Sequence, residues 1–402
     1  MDNILNNTRS FAFSKGEKLK GHFPWLPGTI YYIALFLYLF SQFTQGVLGI
    51  HRYFPWYSSY RLEMVAAIVF VLKIIVFDDH QIRDWFILLL LGVILFQSGM
   101  NANDLGILYY YLAIIGAKDV DFRNILRLFL VTVSAMLVLT IALAKLKILP
   151  GLVFNRGDGA LRYALGTIYP SDLAARCFYL MIAYALLRNY KLKLPEYIGL
   201  FSITIWAYVI TDTKVDFILM VLFLLVAVFH EQSVMIMEKL THIGIAVILG
   251  LSTAFMIIMT YLYNPANHFM KVIDHILSGR FYFSHIAFEK YNVTVLGQYI
   301  PQNGFGGSNG KVFDYFYIDC SYIRVLMMFG AFVFLLLVAY LLYLSHRFMT
   351  SEMYALEITL ILVALSSLID QHMWEISYNI LFLATFADLK GFKKPEYNLS
   401  FS

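Results

Sequence analysis

The sequence predicts an all-α membrane protein that crosses the bilayer many times, and three observations predict it. Of the 402 residues, 60% are hydrophobic and only 14% charged, against roughly one-half and one-quarter in soluble globular chains. The apolar residues come in long blocks, which makes lipid the solvent rather than a polar coat over a single core. Between the blocks lie mostly short polar connections, such as Asp78-Asp79-His80 and His230-Glu231-Gln232.

The elements follow in order along one integral membrane domain, 1–402. Residues 1–28 read as a cytoplasmic tail, basic through Arg9, Lys15, Lys18 and Lys20. The apolar stretch behind the tail is too long for a signal peptide, and no small-x-small cleavage site follows it. A spanning helix needs about 20 apolar residues, with shorter ones tolerated. On that basis the chain predicts about twelve spans: 29–50, 60–77, 85–98, 103–117, 124–145, 171–188, 196–212, 215–230, 241–263, 319–344, 353–369 and 372–389. Two connections are long, 146–170 and 264–318, and the second contains a helix-like stretch near 280–291. Loops of that length in a compact protein are usually functional or disordered.

Orientation follows from the short-loop Lys and Arg residues. With the N-terminus inside, the inner face receives Arg83, Lys118, Arg123, Arg127, Arg188, Lys191, Lys193, Lys239, Arg347 and Lys390 besides the basic tail. The outer short connections receive few. Both termini are then cytoplasmic and both long loops, 146–170 and 264–318, are extracytoplasmic.

Several function classes are set aside. The net charge of +4 carries no basic nucleic-acid stripe. There is no phosphate-binding glycine loop and no dinucleotide fingerprint. His51, His268, His275 and His285 are scattered without metal-ligand spacing, so no metal site is expected. Two cysteines, Cys177 and Cys320, are too few for a disulfide framework and read as small buried hydrophobes.

Ionisable residues inside spans mark function by default. Asp172 and Arg176, four apart at a helix start, share one face and read either as a structural ion pair or as part of a site. Asp319 and Tyr322 share a face at another helix start, with Arg324 a turn deeper. Asp212, Lys214 and Asp216 form a polar hairpin that needs no function. Glu63 and Lys73 lie on different faces of one span, Lys73 snorkelling inward. Ser41, Gln42, Thr44 and Gln45 read as helix-to-helix contacts rather than substrate contacts. Arg156, Arg162, Lys214 and Arg280 gather on the outer face. Such a basic set suits an anionic substrate, because arginine grips phosphate bidentately.

Four patterns, in order along the outer side, resemble bacterial polysaccharide repeat-unit polymerases of the Wzy or O-antigen-polymerase type, relatives of the O-antigen ligases. Arg162-Tyr163-Ala164-Leu165-Gly166 leading to Tyr169-Pro170-Ser171 looks like the family's Arg-x-x-x-Gly…His-Pro-Asn. Thr211-Asp212-Thr213-Lys214 looks like its Thr-x-Ser-Arg turn, with lysine for arginine. Ser278-Gly279-Arg280 with Leu296-Gly297 is similar to its Ser-Gly-Arg…Phe-Gly segment. Asp319-Cys320-Ser321-Tyr322 looks like its Asp-Asn-x-Tyr helix start, with cysteine for asparagine.

The resemblance implies a GT-C-type fold in the bacterial cytoplasmic membrane. It implies a glycosyltransferase that joins undecaprenyl-diphosphate-linked repeat units into surface polysaccharide, without cofactor, metal or nucleic acid. Membrane lipids, and a flippase and a chain-length regulator of the same pathway, are the implied partners. Ligase and lipid-linked-oligosaccharide flippase remain the alternatives. On this reading Arg280 stabilises the leaving diphosphate, with Arg156, Arg162 and Lys214 sharing it. Asp319, then Asp172, is the candidate proton acceptor, and Tyr322, Arg176 and Arg324 complete the substrate contacts.

Overall fold

The structure, a computed structural model, describes residues 13–155, 160–304, 306–307 and 312–393. It is helical almost throughout. After a short helix α1 (13–22) come α2 (Leu26–Gln45), α3 (Trp56–Phe77), α4 (Ile82–Ala102), α5 (Gly106–Gly116) and α6 (Phe122–Lys145). The connection that follows carries a small antiparallel hairpin, Val153–Asn155 against Leu161–Tyr163. Then come α7 (Pro170–Leu187), α8 (Leu194–Thr211), α9 (Lys214–Val228) and α10 (His230–Tyr261). The long connection holds α11 (His268–Ile276) and α12 (Arg280–Lys290), and the chain returns through α13 (Ser321–Arg324), α14 (Ala331–Thr350) and α15 (Tyr354–Ser366).

Six of these helices, α2, α4, α6, α8, α10 and α14, are long and apolar enough to cross a membrane. Their outward faces carry apolar side chains such as Ile33, Leu89, Val138, Val209, Leu251 and Leu335, the surface expected where lipid replaces water. The inner faces form one continuous core in which α2 packs along α3 and α6, α7 along α6, α8 and α9, and α10 along α14. Cys177 and Cys320 are buried in it as free thiols.

Four expectations are corrected. The connection expected between the spans 215–230 and 241–263 is itself helical. Helix α10 starts at His230 and breaks only at Thr241, whose backbone sits at φ 59°, ψ 173°. The expected span 319–344 is interrupted. A π-helical turn, Val325–Phe329, follows α13, and Gly330 (φ 95°) separates it from α14. The backbone groups freed there are taken up by the long connection. Gln298 N donates to Met328 O at 2.9 Å, and Ala331 N to Thr294 O at 2.8 Å. Only glycines fit this crossing, since a Cβ on Gly330 would meet Gly297 N at 2.4 Å.

The third correction concerns 372–389, expected as a last helix. It forms only short 3₁₀ turns, His372–Trp374 and Leu381–Thr385, joined by extended and turn residues. It is nonetheless enclosed, with Phe382, Leu383 and Ala384 inaccessible. A non-helical backbone away from water needs outside partners, and neighbouring helices provide them. Tyr110 Oη donates to Asn379 O, Tyr340 Oη to Phe382 O at 3.3 Å, and Arg347 Nη1 to Thr385 O at 2.5 Å. The segment ends against the start of α6, where Asp388 N donates to Val120 O at 2.8 Å.

Lys73 does not snorkel. It is buried and pairs with Asp78 at 2.5 Å while donating to Lys118 O at 2.7 Å. A buried ammonium without water requires such a carboxylate.

Candidate functional site: a polar cavity at the loop end

A cavity of about 270 Å³ lies at the end of the bundle that carries the two long connections. Its walls come from α2, the α4–α5 turn, α7, α13 with the π turn, and the connection after α15. Arg176, Arg324 and His372 line it together with the carboxylates Asp104, Asp172 and Glu375.

Arg176 is the unusual one. It projects from the second turn of α7, is 1% exposed, and its Nε and Nη1 have no hydrogen-bond partner. It does not pair with Asp172, as the four-residue spacing had allowed. Asp172 instead closes the start of α7, its Oδ2 accepting from Tyr169 N at 3.0 Å. The Arg176 guanidinium is held by aromatic faces, 4.1 Å from the Phe43 ring centre and 4.3 Å from that of Tyr378. Desolvated cation–π contacts of this kind contribute about 2 kcal/mol, but they leave the Nε and Nη1 hydrogens free to donate. Gly46 makes the space, since a Cβ there would stand 2.4 Å from Arg176 Nη2.

Arg324 donates from Nη1 to Gln371 Oε1 at 2.9 Å and lies over the Tyr317 ring. His372 stacks flat on Tyr378 at 3.6 Å, with Nδ1 3.0 Å from Glu375 Oε2 and Nε2 3.2 Å from Asp370 Oδ1. Asp172 Oδ1 lies 3.9 Å from Nε2, so three carboxylates surround the ring. The indole N–H of Trp374, which also lines the cavity, is buried without a partner.

The residues expected from sequence divide into two groups. Asp172, Arg176 and Arg324 line the cavity. Arg280 and Asp319 do not. They pair with each other at 2.8 Å beside the cavity, and Arg280 Nε donates to Ile369 O at 2.8 Å, which braces the connection carrying Asp370 and His372. Arg162 is buried next to Tyr169 and donates from Nε to Thr211 O at 2.8 Å. Lys214 is exposed, makes no ion pair with a described residue, and lies off the cavity wall. The triad with Asp212 and Asp216 does not form. Asp216 is turned into the protein, in the field of Arg280, His372 and Arg162. Tyr322 is buried and donates to Ala364 O at 3.1 Å, a packing role. Arg156 lies outside the described residues.

Sequence reasoning missed His372, Glu375, Trp374 and Gln371. The signal was the run Asp370-Gln371-His372-Met373-Trp374-Glu375, three ionisable residues within six at the edge of an apolar block. It also took Gln42 and Gln45 as helix contacts only, whereas both line the cavity.

Among the described residues no cluster of His, Cys, Asp and Glu is arranged to hold a metal ion. The arrangement defines a membrane-embedded helical bundle with a polar cavity, lined by charges of both signs, at one end. Comparison with protein families, curated proteins and solved structures finds no match to the chain.

Proposed function

We propose that the protein is a glycosyltransferase of the cell membrane that polymerises undecaprenyl-diphosphate-linked repeat units into surface polysaccharide. On this reading the chain crosses the membrane twelve times in a GT-C-type arrangement. Eleven crossings are helical, and the twelfth is the enclosed segment after α15. Both termini are cytoplasmic and the cavity faces outward. The resemblance of the outer-side motifs motivates the reaction. The observation that carries it is Arg176, a guanidinium 1% exposed, with unpartnered N–H groups in a cavity shared with Arg324 and His372. A buried cation without hydrogen-bond partners is costly, and an anionic group such as a diphosphate removes that cost.

The chemistry follows. The donor's anomeric carbon–oxygen bond to the diphosphate breaks, and negative charge grows on the leaving oxygen. Arg176, Arg324 and His372 stabilise that charge, and undecaprenyl diphosphate departs. The acceptor hydroxyl oxygen bonds to the anomeric carbon and loses its proton to a carboxylate. Asp172 fills that role rather than Asp319, which is tied to Arg280. Asp172 lines the cavity and keeps Oδ1 3.9 Å from the nearest nitrogen of His372. Arg280 acts through the connection it braces rather than on the diphosphate.

The test is reconstitution in lipid with the host's own lipid-linked repeat unit. Polymer and free undecaprenyl diphosphate are expected to form. Arg176→Gln is expected to lower the rate on the order of 100- to 1000-fold, as loss of one transition-state donor does. Normal chain growth by Arg176→Gln protein sinks the assignment. In cells, deletion is expected to leave single repeat units at the surface, whereas loss of all surface glycan favours a flippase.

A further inference from the structure

We infer that the cavity has a second wall built to accept hydrogen bonds from sugar hydroxyls, and that Glu63, which does not line it, sets that wall's polarity. The inference rests on the polymerase reading and adds where the glycan lies relative to the diphosphate. Gln42 and Gln45 are successive cavity residues on the last turn of α2. Behind them, on α3, Glu63 is 3% exposed. Its Oε1 accepts from Gln42 Nε2 at 2.6 Å and from Gln45 Nε2 at 2.5 Å. A carboxylate oxygen can only accept, so both amides turn their nitrogens toward it. Their carbonyl oxygens are left as the uncommitted atoms.

Asp104 lies on the same cavity lining and is also an acceptor, its Oδ1 taking Gly106 N at 2.9 Å. On the α7 and α13 side the lining mixes the two kinds of group: Arg176, Arg324 and His372 offer N–H donors, which suit phosphate oxygens, beside Asp172 and Glu375. On the α2 and α4–α5 side Gln42, Gln45 and Asp104 offer oxygens alone, which suit hydroxyl donors. A ligand that matches both halves is a sugar joined to a diphosphate, with the sugar toward α2 and the α4–α5 turn. Glu63 is a positioning residue in this arrangement. Without its carboxylate nothing prevents the two amides from rotating and presenting N–H groups instead.

The experiment measures binding to purified protein in lipid nanodiscs, in the cold, for two ligands. One is undecaprenyl diphosphate; the other is the host's undecaprenyl-diphosphate-linked repeat unit. Wild-type protein is expected to bind the glycosylated lipid about ten-fold more tightly, the effect of one or two added hydrogen bonds. Glu63→Gln, whose amide can donate as well as accept, is expected to erase that preference while leaving affinity for the bare diphosphate lipid within two-fold. Asp104→Asn, in a turn rather than a helix interface, is expected to reduce the preference in the same direction. It decides the matter if Glu63→Gln protein does not accumulate. A preference unchanged in both variants overturns the sugar wall while leaving the diphosphate site standing. Equal binding of bare undecaprenyl diphosphate to wild-type and Arg176→Gln protein instead removes the diphosphate site, and this inference with it.

Discussion

Replacing Gly46 by alanine probes the cavity with a single methyl group. Gly46 ends α2 at φ −86°, a conformation open to any residue, so alanine adds no backbone strain there. The added Cβ meets Arg176 Nη2 at 2.4 Å and Arg176 Cζ at 3.6 Å. Opening the first gap to the 3.4 Å of ordinary contact moves the guanidinium by about 1 Å. The group sits between two rings at 4.1 and 4.3 Å, so it slides partly off them rather than swinging free. The fold loses at most about 2 kcal/mol of cation–π attraction. Chemistry loses more, because a misplacement of about 1 Å at a reacting group costs on the order of 100-fold. The expected result is normal membrane insertion with polymer formation, normalised to protein, reduced about 100-fold. Affinity for undecaprenyl diphosphate falls in parallel. Normalised activity within two-fold of wild type would refute the claim that Arg176 touches substrate.

Two further outcomes are expected. Arg280→Ala leaves Asp319, Asp370 and Asp216 facing one another without their shared cation, so yield by fluorescence-detected size exclusion should drop. Arg280→Ala with Asp319→Ala should recover part of it, and equal losses in the single and double variants would argue against a structural pair. Lys214→Ala should keep yield and normalised activity within two-fold, because no carboxylate holds it and it lies off the cavity; a strong activity loss would return it to the diphosphate.

Long apolar blocks made the helices legible: nine expected segments match one helix each with ends displaced by five residues or fewer, while the helix expected at 241–263 starts eleven residues earlier and the one at 319–344 is interrupted. The segment 372–389 was misread for a physical reason. A stretch enclosed on every side is apolar whether it is helical or not, so periodicity cannot separate the two. The break at Gly330 was hidden because the backbone partners of Met328 and Ala331, Gln298 and Thr294, lie 30 and 37 residues away in sequence. At the site, Arg176 was visible as a charge inside an apolar block, but its lack of a partner was not. Sequence spacing offered Asp172, while the structure gave Asp172 to the start of α7. Arg280 and Lys214 drew weight from motif likeness. One proved to be a brace and the other a surface residue, distinctions that depend on which loops approach which helix ends.

The enclosed segment after α15 also constrains how the protein is made. A helix satisfies its own backbone and enters lipid singly. Residues 376–389 do not, because their carbonyls rely on Tyr110 of α5, Tyr340 and Arg347 of α14, and the start of α6. Those donors must already stand in place, so this stretch is threaded last, into a groove the assembled helices leave open. His372, Glu375 and Tyr378 arrive with it or just ahead of it. The cavity lining is therefore completed only in the final act of assembly, and a half-built bundle holds no finished site.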